Sequence, residues 1–306
     1  MNPSQRPVVL SDVVAEALRT GAPVLALEST IITHGLPQPQ NLEAARQFEA
    51  AVAAHGAVPA TIAVLDGVPR IGLEADELER VAGAGAAVKL SARDLPVAIA
   101  QGLTGGTTVA ATAFLAAHNG LRVFATGGLG GVHRDAASTF DESADLGILA
   151  RSRITVVSAG VKSILDVGAT LERLETQGVL VVGYRTKRFP GFWLSESGHD
   201  VEHEVDSPEE IAQMMQAQDA LGLPGALLVG NPLPLDRQLD PVVHDRVLGD
   251  ALQAAAAASV RGKEITPFLL DWVHEKTDHL SLGVNIDIVL ANAALGAEIA
   301  VAWSAL

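Results

Sequence analysis

The sequence predicts a three-layer α/β/α protein with a largely parallel central sheet and a helical C-terminal part. Short β-branched runs alternate with Ala-rich helical patterns along most of the 306 residues, which is typical of helices packed on a parallel sheet. Most of the short runs are apolar throughout, as expected for strands covered on both faces. After about residue 240 only helical patterns follow. We expect a single domain over residues 1–306.

The predicted strands are the apolar runs that turn residues separate. In chain order they are Val24–Leu27, Thr61–Leu65, Ala87–Leu90, Arg122–Ala125, Ile154–Ser158, Val179–Gly183 and Ala226–Val229.

The predicted helices are marked by residues that favour helix ends. Ser11 is placed to cap a helix over Asp12–Arg19, and Gly21 follows its end. Ser207, with proline and two acidic residues after it, predicts a helix that runs to about Leu221. Further helices are predicted over Asn41–Ala54, 240–260, 265–277 and 282–304.

The segment 186–204 breaks the strand–helix alternation and is rich in aromatic residues. We interpret it as an excursion from the sheet or as a lid. The apolar content of 48% with only 4% aromatic residues favours a broad aliphatic surface that packs against further copies of the chain. A simply Ala-rich composition explains the same figures.

Composition and charge exclude several classes of protein. The chain has 21 Lys and Arg against 36 Asp and Glu, a formal net charge of −15, and no basic run that attracts nucleic acid. It has no cysteine, which excludes disulfides, zinc–thiolate sites and cysteine nucleophiles. The first ten residues lack the pattern of a signal peptide, and polar residues interrupt the apolar stretch 282–306. We expect a soluble cytoplasmic protein with neither a nucleic-acid partner nor a membrane span.

Polar residues gather directly after several predicted strands, where α/β enzymes place their sites. Glu28 ends the first strand. A carboxylate there loses hydration and its pKa tends to rise, which suits a proton donor near neutral pH. A structural role in capping the next turn fits its position equally well. His34, beside Gly35, is more typical of a backbone hydrogen bond than of catalysis.

Lys89 and Lys162 each lie at the end of an apolar run in a chain with few cations. Desolvation and a second cation nearby favour the neutral amine, which a nucleophile requires. A neutral lysine attacks a sugar aldehyde to form an imine, whose protonated form withdraws electrons. Phosphate binding or a place on a helix surface is the alternative for either lysine.

Two glycine-dense turns and one acidic stretch complete the candidate residues. The turns Gly102–Thr108 and Gly127–Gly131 can aim backbone N–H groups at an anion. Glycine-rich turns are often only turns, but two of them with threonines nearby favour a phosphate site. Neither turn fits the P-loop or the dinucleotide pattern. The stretch Asp141–Asp145 offers carboxylates and a hydroxyl for a hard divalent ion such as Mg²⁺ or Mn²⁺. The acidic start of a helix explains the same stretch more simply.

Nine motifs occur in order along the chain. They are ALESTIITHGLPQPQN (26–41), TIAVLDGVPRIGL (61–73), KLSARDLP (89–96), GGTTVAAT (105–112), FATGGLGGVHR (124–134), SADLGILAR (143–151), SAGVKSILD (158–166), YRTKRFPGFW (184–193) and GNPLP (230–234). Together they resemble the pseudouridine-5′-phosphate glycosidases, also named indigoidine synthase A-like proteins. The similarity runs from about residue 10 to 305.

The resemblance implies an activity, a cofactor and a set of site residues. The activity is the reversible cleavage of the C–C glycosidic bond of pseudouridine 5′-phosphate to uracil and ribose 5-phosphate, by a homotrimer that uses Mn²⁺ or a similar divalent cation. Lys162 would be the nucleophile and Glu28 the proton donor. The other implied residues are Lys89, Val109, Ser143, Ala144 and Asp145 as substrate ligands, Asp141 as the metal ligand, and Thr126, His133 and Asn285 as polar lining of the site.

Carbon offers no lone pair for protonation, so two carboxylates of the ordinary glycosidase type do not suffice for this bond. Our hypothesis is that Glu28 helps to open the ribose ring, that Lys162 captures C1′ as an imine, and that Lys89 assists electrostatically. Two alternatives stay open. One is another imine-forming sugar-phosphate lyase of aldolase type, and the other is a non-catalytic sugar-phosphate sensor.

Overall fold

The computed structural model describes residues 8–258, 260 and 265–306. In this part of the chain eleven strands form one sheet. The strands are β1 (Val9–Leu10), β2 (Val24–Leu27), β3 (Val58–Leu65), β4 (Val68–Ile71), β5 (Val88–Leu90), β6 (Gly105–Thr107), β7 (Val123–Ala125), β8 (Thr155–Ser158), β9 (Leu180–Tyr184), β10 (His203–Val205) and β11 (Leu227–Gly230).

The sheet is largely parallel, as predicted. Its order is β1-β4-β3-β2-β7-β8-β11-β9-β10, and β6 pairs with β3 and β5. From β3 through to β10 all neighbours are parallel, whereas β4 and β6 run antiparallel to β3. The carboxyl ends of the central strands β2, β7 and β8 therefore meet at one edge of the sheet.

Helices cover both faces of the sheet. They are α1 (Asp12–Thr20), α2 (Gln40–Ala54), α3 (Ala75–Gly83), α4 (Leu95–Gln101), α5 (Val109–His118), α6 (Ala136–Thr139), α7 (Ala144–Leu149), α8 (Val167–Thr176), α9 (Pro208–Leu221), α10 (Pro241–Ala257), α11 (Ile265–Lys276) and α12 (Leu280–Ser304).

Alternate residues of each central strand enter different cores, because successive side chains of a strand point to opposite faces. Phe124 of β7 packs in the core shared with α1, α5, α7 and α10. Its neighbours Val123 and Ala125 pack in the core shared with α2, α9 and α12. This division confirms the three-layer architecture.

The predicted helix caps are present. The Val14 N–H donates to Ser11 Oγ at 3.3 Å, and Gly21 closes α1 with a φ of 72°. The Glu210 N–H donates to Ser207 Oγ at 3.2 Å at the start of α9. Of the seven predicted strands, Val24–Leu27 has the observed bounds, and the other six differ from observed strands by one to three residues at an end. The predicted helix over 240–260 ends at Ala257, and residue 259 lies outside the described residues.

Four strands were not predicted, namely β1, β4, β6 and β10. The pair β3–β4 is a hairpin whose turn is Asp66-Gly67, with φ values of 50° and 76°. An Asp-Gly pair strongly favours a hairpin. The strand after it was not predicted, because Pro69 and Arg70 interrupt its apolar pattern.

The prediction of an anion-binding turn over Gly102–Thr108 was wrong for its central part, because Gly105–Thr107 forms β6. A Cβ added to Gly106 would lie 2.2 Å from Thr33 Oγ1 and 2.8 Å from the Ser29 carbonyl oxygen. These glycines therefore allow β6 to pack closely against the turn after β2, and their backbone groups pair within the sheet.

The segment 186–204 leaves the sheet after β9 and returns to it at the start of β10, and it is an excursion rather than a lid. Phe189 and Trp193 have no exposed surface, and Phe192 is 5% exposed. The Trp193 indole donates to Asn285 Oδ1 at 2.6 Å. A segment anchored by three buried aromatic rings is part of the core.

The helix α12 is the one helix of the described residues that is long and apolar enough to cross a membrane by length and composition. Half of that stretch is buried inside the structure, where α12 packs on β2, β7 and β8 and on the three helices α2, α9 and α11. Its polar residues Asn285 and Asn292 are buried and hydrogen bonded, as expected in a core helix.

Candidate active site

A cavity of about 390 Å³ opens at the edge where β2, β7 and β8 end. It is lined by residues that follow several strands and by the start of α5. These residues are Glu28, Thr30, Lys89, Ser91, Arg93, Asp94, Thr108, Val109, Gly130, His133, Asp141, Glu142, Ser143, Ala144, Asp145, Lys162 and Leu165. Nine of the eleven residues implied by the resemblance are among them.

Glu28 is the first residue after β2, and its backbone is fixed by the residue that follows. The buried Ser29 donates from Oγ to the Ile62 carbonyl at 2.6 Å and accepts from the Thr107 N–H at 2.9 Å. This ties the turn to β3 and β6. The Glu28 carboxylate accepts a short hydrogen bond from the Thr126 hydroxyl, at the end of β7. The carboxylate is therefore held in one position at the wall of the cavity.

Burial raises the pKa of the Glu28 carboxyl above its usual value. The positive charge of Lys162, the Thr126 hydrogen bond and the charge of Lys89 oppose that rise, while Asp145 adds to it. The net direction is upward, as the sequence predicts for a carboxylate that ends an apolar strand. A carboxyl group with such a pKa holds its proton to a higher pH, which suits a proton donor.

Lys162 lies in the turn after β8, and this turn runs beside the loop after β7. Val161 forms a parallel bridge with Leu129, and the Lys162 N–H donates to the Leu129 carbonyl at 3.0 Å. The Lys162 carbonyl accepts from the Leu165 N–H at 2.9 Å. The turn thereby brings the lysine to the same cavity as Glu28.

Asp145 connects two walls of the cavity. Its Oδ1 accepts from the Ala110 N–H in the first turn of α5, and its Oδ2 accepts from the Gly130 N–H, both at 2.8 Å. The residue is 6% exposed. Gly130 is required there, because a Cβ would lie 2.3 Å from Ser143 Oγ and 2.8 Å from Asp145 Oδ2. The second glycine turn thus packs against the acidic stretch.

The start of α5 faces the cavity through Thr108 and Val109. The Thr108 hydroxyl accepts from the Ala111 N–H and caps the helix. The positive end of a helix dipole favours an anionic group in front of it. Lys89 in β5 and Arg93 beyond it add positive charge to the same wall.

Asp141, the metal ligand implied by the resemblance, lies next to His133 in the cavity lining. His133 Nε2 lies 4.0 Å from Asp141 Oδ2, and their backbones are hydrogen bonded at 3.1 Å. The described residues contain no group of three or more His, Cys, Asp or Glu side chains that could hold a metal ion. The donor set fits a hard divalent ion that keeps several waters and takes few protein ligands.

Two predicted lining residues lie behind the cavity wall rather than at its surface. Thr126 is 1% exposed and reaches the cavity only through its hydrogen bond to Glu28. Asn285 is 8% exposed and accepts from the Trp193 indole. The side chain of Asn285 is therefore hydrogen bonded within the core.

Other side chains of the site were not selected from the sequence. Thr30, Ser91, Arg93, Asp94, Thr108 and Glu142 line the cavity. All of them follow a strand or belong to one of the stretches already described. Their position in the sequence could therefore have identified them as candidates. Asn292 of α12 lies behind the wall, where its amide donates to the Thr126 carbonyl at 2.7 Å. Nothing in the sequence of α12 distinguishes it from Asn285.

The fold and this cavity define an α/β enzyme whose site combines two lysines with a buried glutamate whose carboxyl pKa is raised. Residues 13–302 match the sequence model of the family described as indigoidine synthase A like protein. The chain belongs to this family, and the resemblance seen in its motifs is confirmed.

Several similar proteins bear the name pseudouridine-5′-phosphate glycosidase. One from Saccharopolyspora erythraea is 59% identical over 292 residues, which cover 95% of this chain and 96% of the relative. One from Streptomyces griseus is 60% identical over 295 residues, which cover 96% of this chain and 91% of the relative.

Two solved structures are similar over nearly the whole chain. The prealnumycin C-glycosynthase AlnA in complex with ribulose 5-phosphate has a TM-score of 0.91 and 35% identity, and the match covers 98% of each chain. An indigoidine synthase A-like protein from Thermotoga maritima has a TM-score of 0.88 and 34% identity, with 99% of each chain covered.

Proposed function

We propose that this enzyme reversibly cleaves the C–C glycosidic bond of pseudouridine 5′-phosphate to give uracil and ribose 5-phosphate. The observation that carries the proposal is the placement of Glu28, with its raised carboxyl pKa, in one cavity with Lys162. The names of the relatives support the substrate. The neighbour that is a C-glycosynthase, bound to ribulose 5-phosphate, supports both a C-glycosidic bond and a sugar phosphate.

In the proposed mechanism Glu28 and Lys162 open the sugar ring together. Glu28 donates a proton to the ring oxygen as the bond from this oxygen to C1′ breaks. The Lys162 amine bonds to C1′, and the proton that it loses returns to Glu28. The products of this step are an open-chain sugar with a hydroxyl at C4′ and a C1′ that carries both the uracil ring and the Lys162 nitrogen.

The C–C bond breaks in the second step. Carbon 5 of the uracil ring accepts a proton from Glu28, and the electron pair of the C1′–C5 bond then returns to the ring. The lone pair of the Lys162 nitrogen forms the C=N bond of a protonated imine, and the proton on this nitrogen returns to the Glu28 carboxylate as the imine is hydrolysed. Water hydrolyses the imine, so that the net reaction consumes one water and yields uracil and ribose 5-phosphate.

Local charge must attract this anionic substrate, because the whole chain carries a net charge of −15. We propose that Lys89, Arg93 and the start of α5 bind the phosphate and sugar, together with Val109 and the Ser143–Asp145 segment. These groups line one cavity. Asp145 already accepts hydrogen bonds from two backbone N–H groups. It would therefore hold this wall of the cavity in place as well as contact the substrate.

A divalent cation such as Mn²⁺ is part of the proposal. Asp141 would hold it, and His133 lies beside that carboxylate. When bound, the ion would supply positive charge next to the anionic substrate. We expect exhaustive chelation to weaken substrate binding, and Asp141→Asn to reduce the metal content measured on the purified protein. Unchanged affinity after chelation would remove the cation from the proposal.

Lys162 provides the decisive test of this function. Purified enzyme should release uracil from pseudouridine 5′-phosphate, and borohydride in the presence of ribose 5-phosphate should leave an adduct on Lys162 that mass spectrometry locates. Lys162→Ala should abolish both, whereas Lys187→Ala, an exposed lysine of the 186–204 segment, should retain both. An active Lys162→Ala variant would end the mechanism. Turnover of another sugar phosphate without uracil release would favour a lyase of aldolase type, and no turnover at all would favour a sensor.

The assembly is also a proposal. We expect a homotrimer, which light scattering on the eluted protein measures directly. A monomer at assay concentration with full activity would show that the site needs no partner chain.

A further inference from the structure

A buried hydrogen-bond chain connects α10 to the turn that carries Lys162. His244 of α10 is 4% exposed and Ser163 is 7% exposed. His244 Nε2 lies 3.0 Å from Ser163 Oγ, and His244 Nδ1 lies 3.0 Å from Asp245 Oδ1. An aspartate carboxylate only accepts hydrogen bonds, so Nδ1 carries the proton and donates to Asp245. In the neutral ring Nε2 then accepts from the Ser163 hydroxyl.

Ser163 is the residue next to Lys162, and its backbone is held from the other side of the turn. The Ser163 carbonyl accepts from Arg134 Nη2 at 3.0 Å, and the Ile164 carbonyl accepts from Arg134 Nε at 3.3 Å. These contacts come from the loop after β7. The His244 contact comes from α10, so the turn is bonded both to the loop after β7 and to the helical C-terminal part.

His244 itself has a fixed position. Its ring meets the Trp193 ring edge-on, with centroids 6.1 Å apart. Trp193 is fully buried and donates to Asn285 of α12. The imidazole is therefore part of a packed interior, and the Ser163 hydroxyl has a rigid acceptor rather than a mobile one.

We propose that His244 is a positioning residue, which acts through the Ser163 hydroxyl to hold the turn from which Lys162 enters the cavity. The inference rests on the proposed function, because the position of Lys162 limits turnover only if its amine reacts. A lysine side chain has a long flexible stem, so the backbone must supply much of the precision. A displacement of the reacting atom by 1 Å can lower the rate about a hundredfold.

Three variants test this positioning. Ser163→Ala removes the hydroxyl, His244→Leu removes the acceptor, and His244→Gln keeps a polar group near the position of Nε2. We expect Ser163→Ala and His244→Leu to lower kcat by about tenfold to a hundredfold, with KM within about twofold of wild type. His244→Gln should recover part of the loss. The double variant should lose no more than the worse single variant, because both changes remove one hydrogen bond.

His274→Leu is the matched control. His274 is 9% exposed, also pairs with a buried serine hydroxyl, and also meets the Trp193 ring edge-on. Its partner Ser281 lies on α12 rather than on the Lys162 turn. We expect this variant to be less stable but to keep the wild-type kcat. An equal loss of kcat in His274→Leu would overturn the inference, since the loss would then report on packing of the helical part.

The positioning role of His244 and the proposed function would be contradicted by different results. Wild-type kcat in folded Ser163→Ala and His244→Leu, with Lys162→Ala inactive, would overturn the positioning role alone. Activity in Lys162→Ala would overturn the proposed function, whatever the other variants do. If His244→Leu does not fold, Ser163→Ala decides the question, because it deletes a single buried hydroxyl.

Discussion

The loops after β2, β7 and β8 differ from the helical part beyond residue 240 in how they use buried polar groups. In the loops Glu28 and Lys162 face a shared cavity, and burial raises the pKa of the Glu28 carboxyl. In the helical part Asn285 pairs with the Trp193 indole and His274 pairs with Ser281. Glu28 and Lys162 face the cavity, where they can bind a substrate, whereas Asn285 and His274 form their hydrogen bonds within the protein.

This difference separates activity from stability. A buried polar group whose partner is another side chain contributes to the fold, and removing one partner costs about 1–3 kcal/mol of unfolding free energy. A buried ionisable group that faces a cavity contributes reactivity and can lower stability. Substitutions of Glu28 or Lys162 should therefore act mainly on turnover, and substitutions of Asn285 or His274 mainly on stability. His244 is the residue of the helical part that we expect to affect turnover, through Ser163.

After Lys162→Ala, the largest effect is expected from Glu28→Gln, which keeps the shape of the side chain but removes the proton. We expect kcat to fall by about a hundredfold to ten-thousandfold, the range for loss of a general acid. Uracil release from pseudouridine 5′-phosphate measures it. Thr126→Val, which removes the hydroxyl bonded to Glu28, should have a smaller effect. Near-normal turnover in Glu28→Gln would place the proton donor elsewhere.

The same residue has a predictable effect on pH dependence. Because the folded-state pKa of the Glu28 carboxyl is raised, the unfolded chain loses this proton first as pH rises, so stability falls between the unfolded and folded pKa values. Activity that needs the protonated form also falls as pH rises through the folded value. Urea unfolding of Glu28→Gln should show a gain over wild type at pH 7 that vanishes at pH 3. A variant less stable than wild type at pH 7 would contradict this sign.

A smaller effect is expected from Gly130→Ala, which tests the contact between two loops of the site. The added Cβ would clash with Ser143 and Asp145, so the loops must separate. We expect turnover to fall by about tenfold or more and stability to fall by about 1–3 kcal/mol. Both are measured on the same preparation by uracil release and urea unfolding.

Gly147→Ala is the control for Gly130→Ala. Gly147 lies inside α7, and a Cβ there meets no atom within 4 Å. Replacing a helical glycine by alanine should raise stability by about 0.5–1 kcal/mol and leave turnover unchanged. Equal losses of turnover and stability in both variants would mean that an added methyl group is harmful at either position. The clash at Gly130 would then not explain the loss.

Much of the fold follows from local sequence, because apolar runs and helix caps act over a few residues. The strand Val24–Leu27 and the caps at Ser11 and Ser207 are present as predicted. The strand β6 was missed because glycines carry no pattern of their own. Its glycines are explained only by the close approach to Ser29 and Thr33, which are far away in the sequence.

The candidate site followed from the rule that parallel strands end at a common edge. Glu28 and Lys162 were predicted from their position after apolar strands, and both line the cavity. Asn285 could not be placed in the same way. Whether a helical asparagine faces a cavity or a tryptophan depends on the rotation of α12 and on the packing of the segment 186–204. Both are tertiary features that no local pattern specifies.

His274→Gln should leave turnover unchanged, and it gives the clearest contrast with Glu28. Burial and the nearby His279 lower the pKa of its imidazole to about 4. The unfolded chain therefore takes up this proton first as pH falls below about 6.5, and stability is lost as pH falls from there through about 4. We expect wild type to lose about 2 kcal/mol more than His274→Gln between pH 7 and pH 4.5, measured by urea unfolding. Turnover at pH 7 should be equal in the two proteins, because His274 pairs with Ser281 and is remote from the cavity lining. A variant with the wild-type acid response but reduced turnover would reverse the assignment and make His274 a contributor to chemistry rather than to stability.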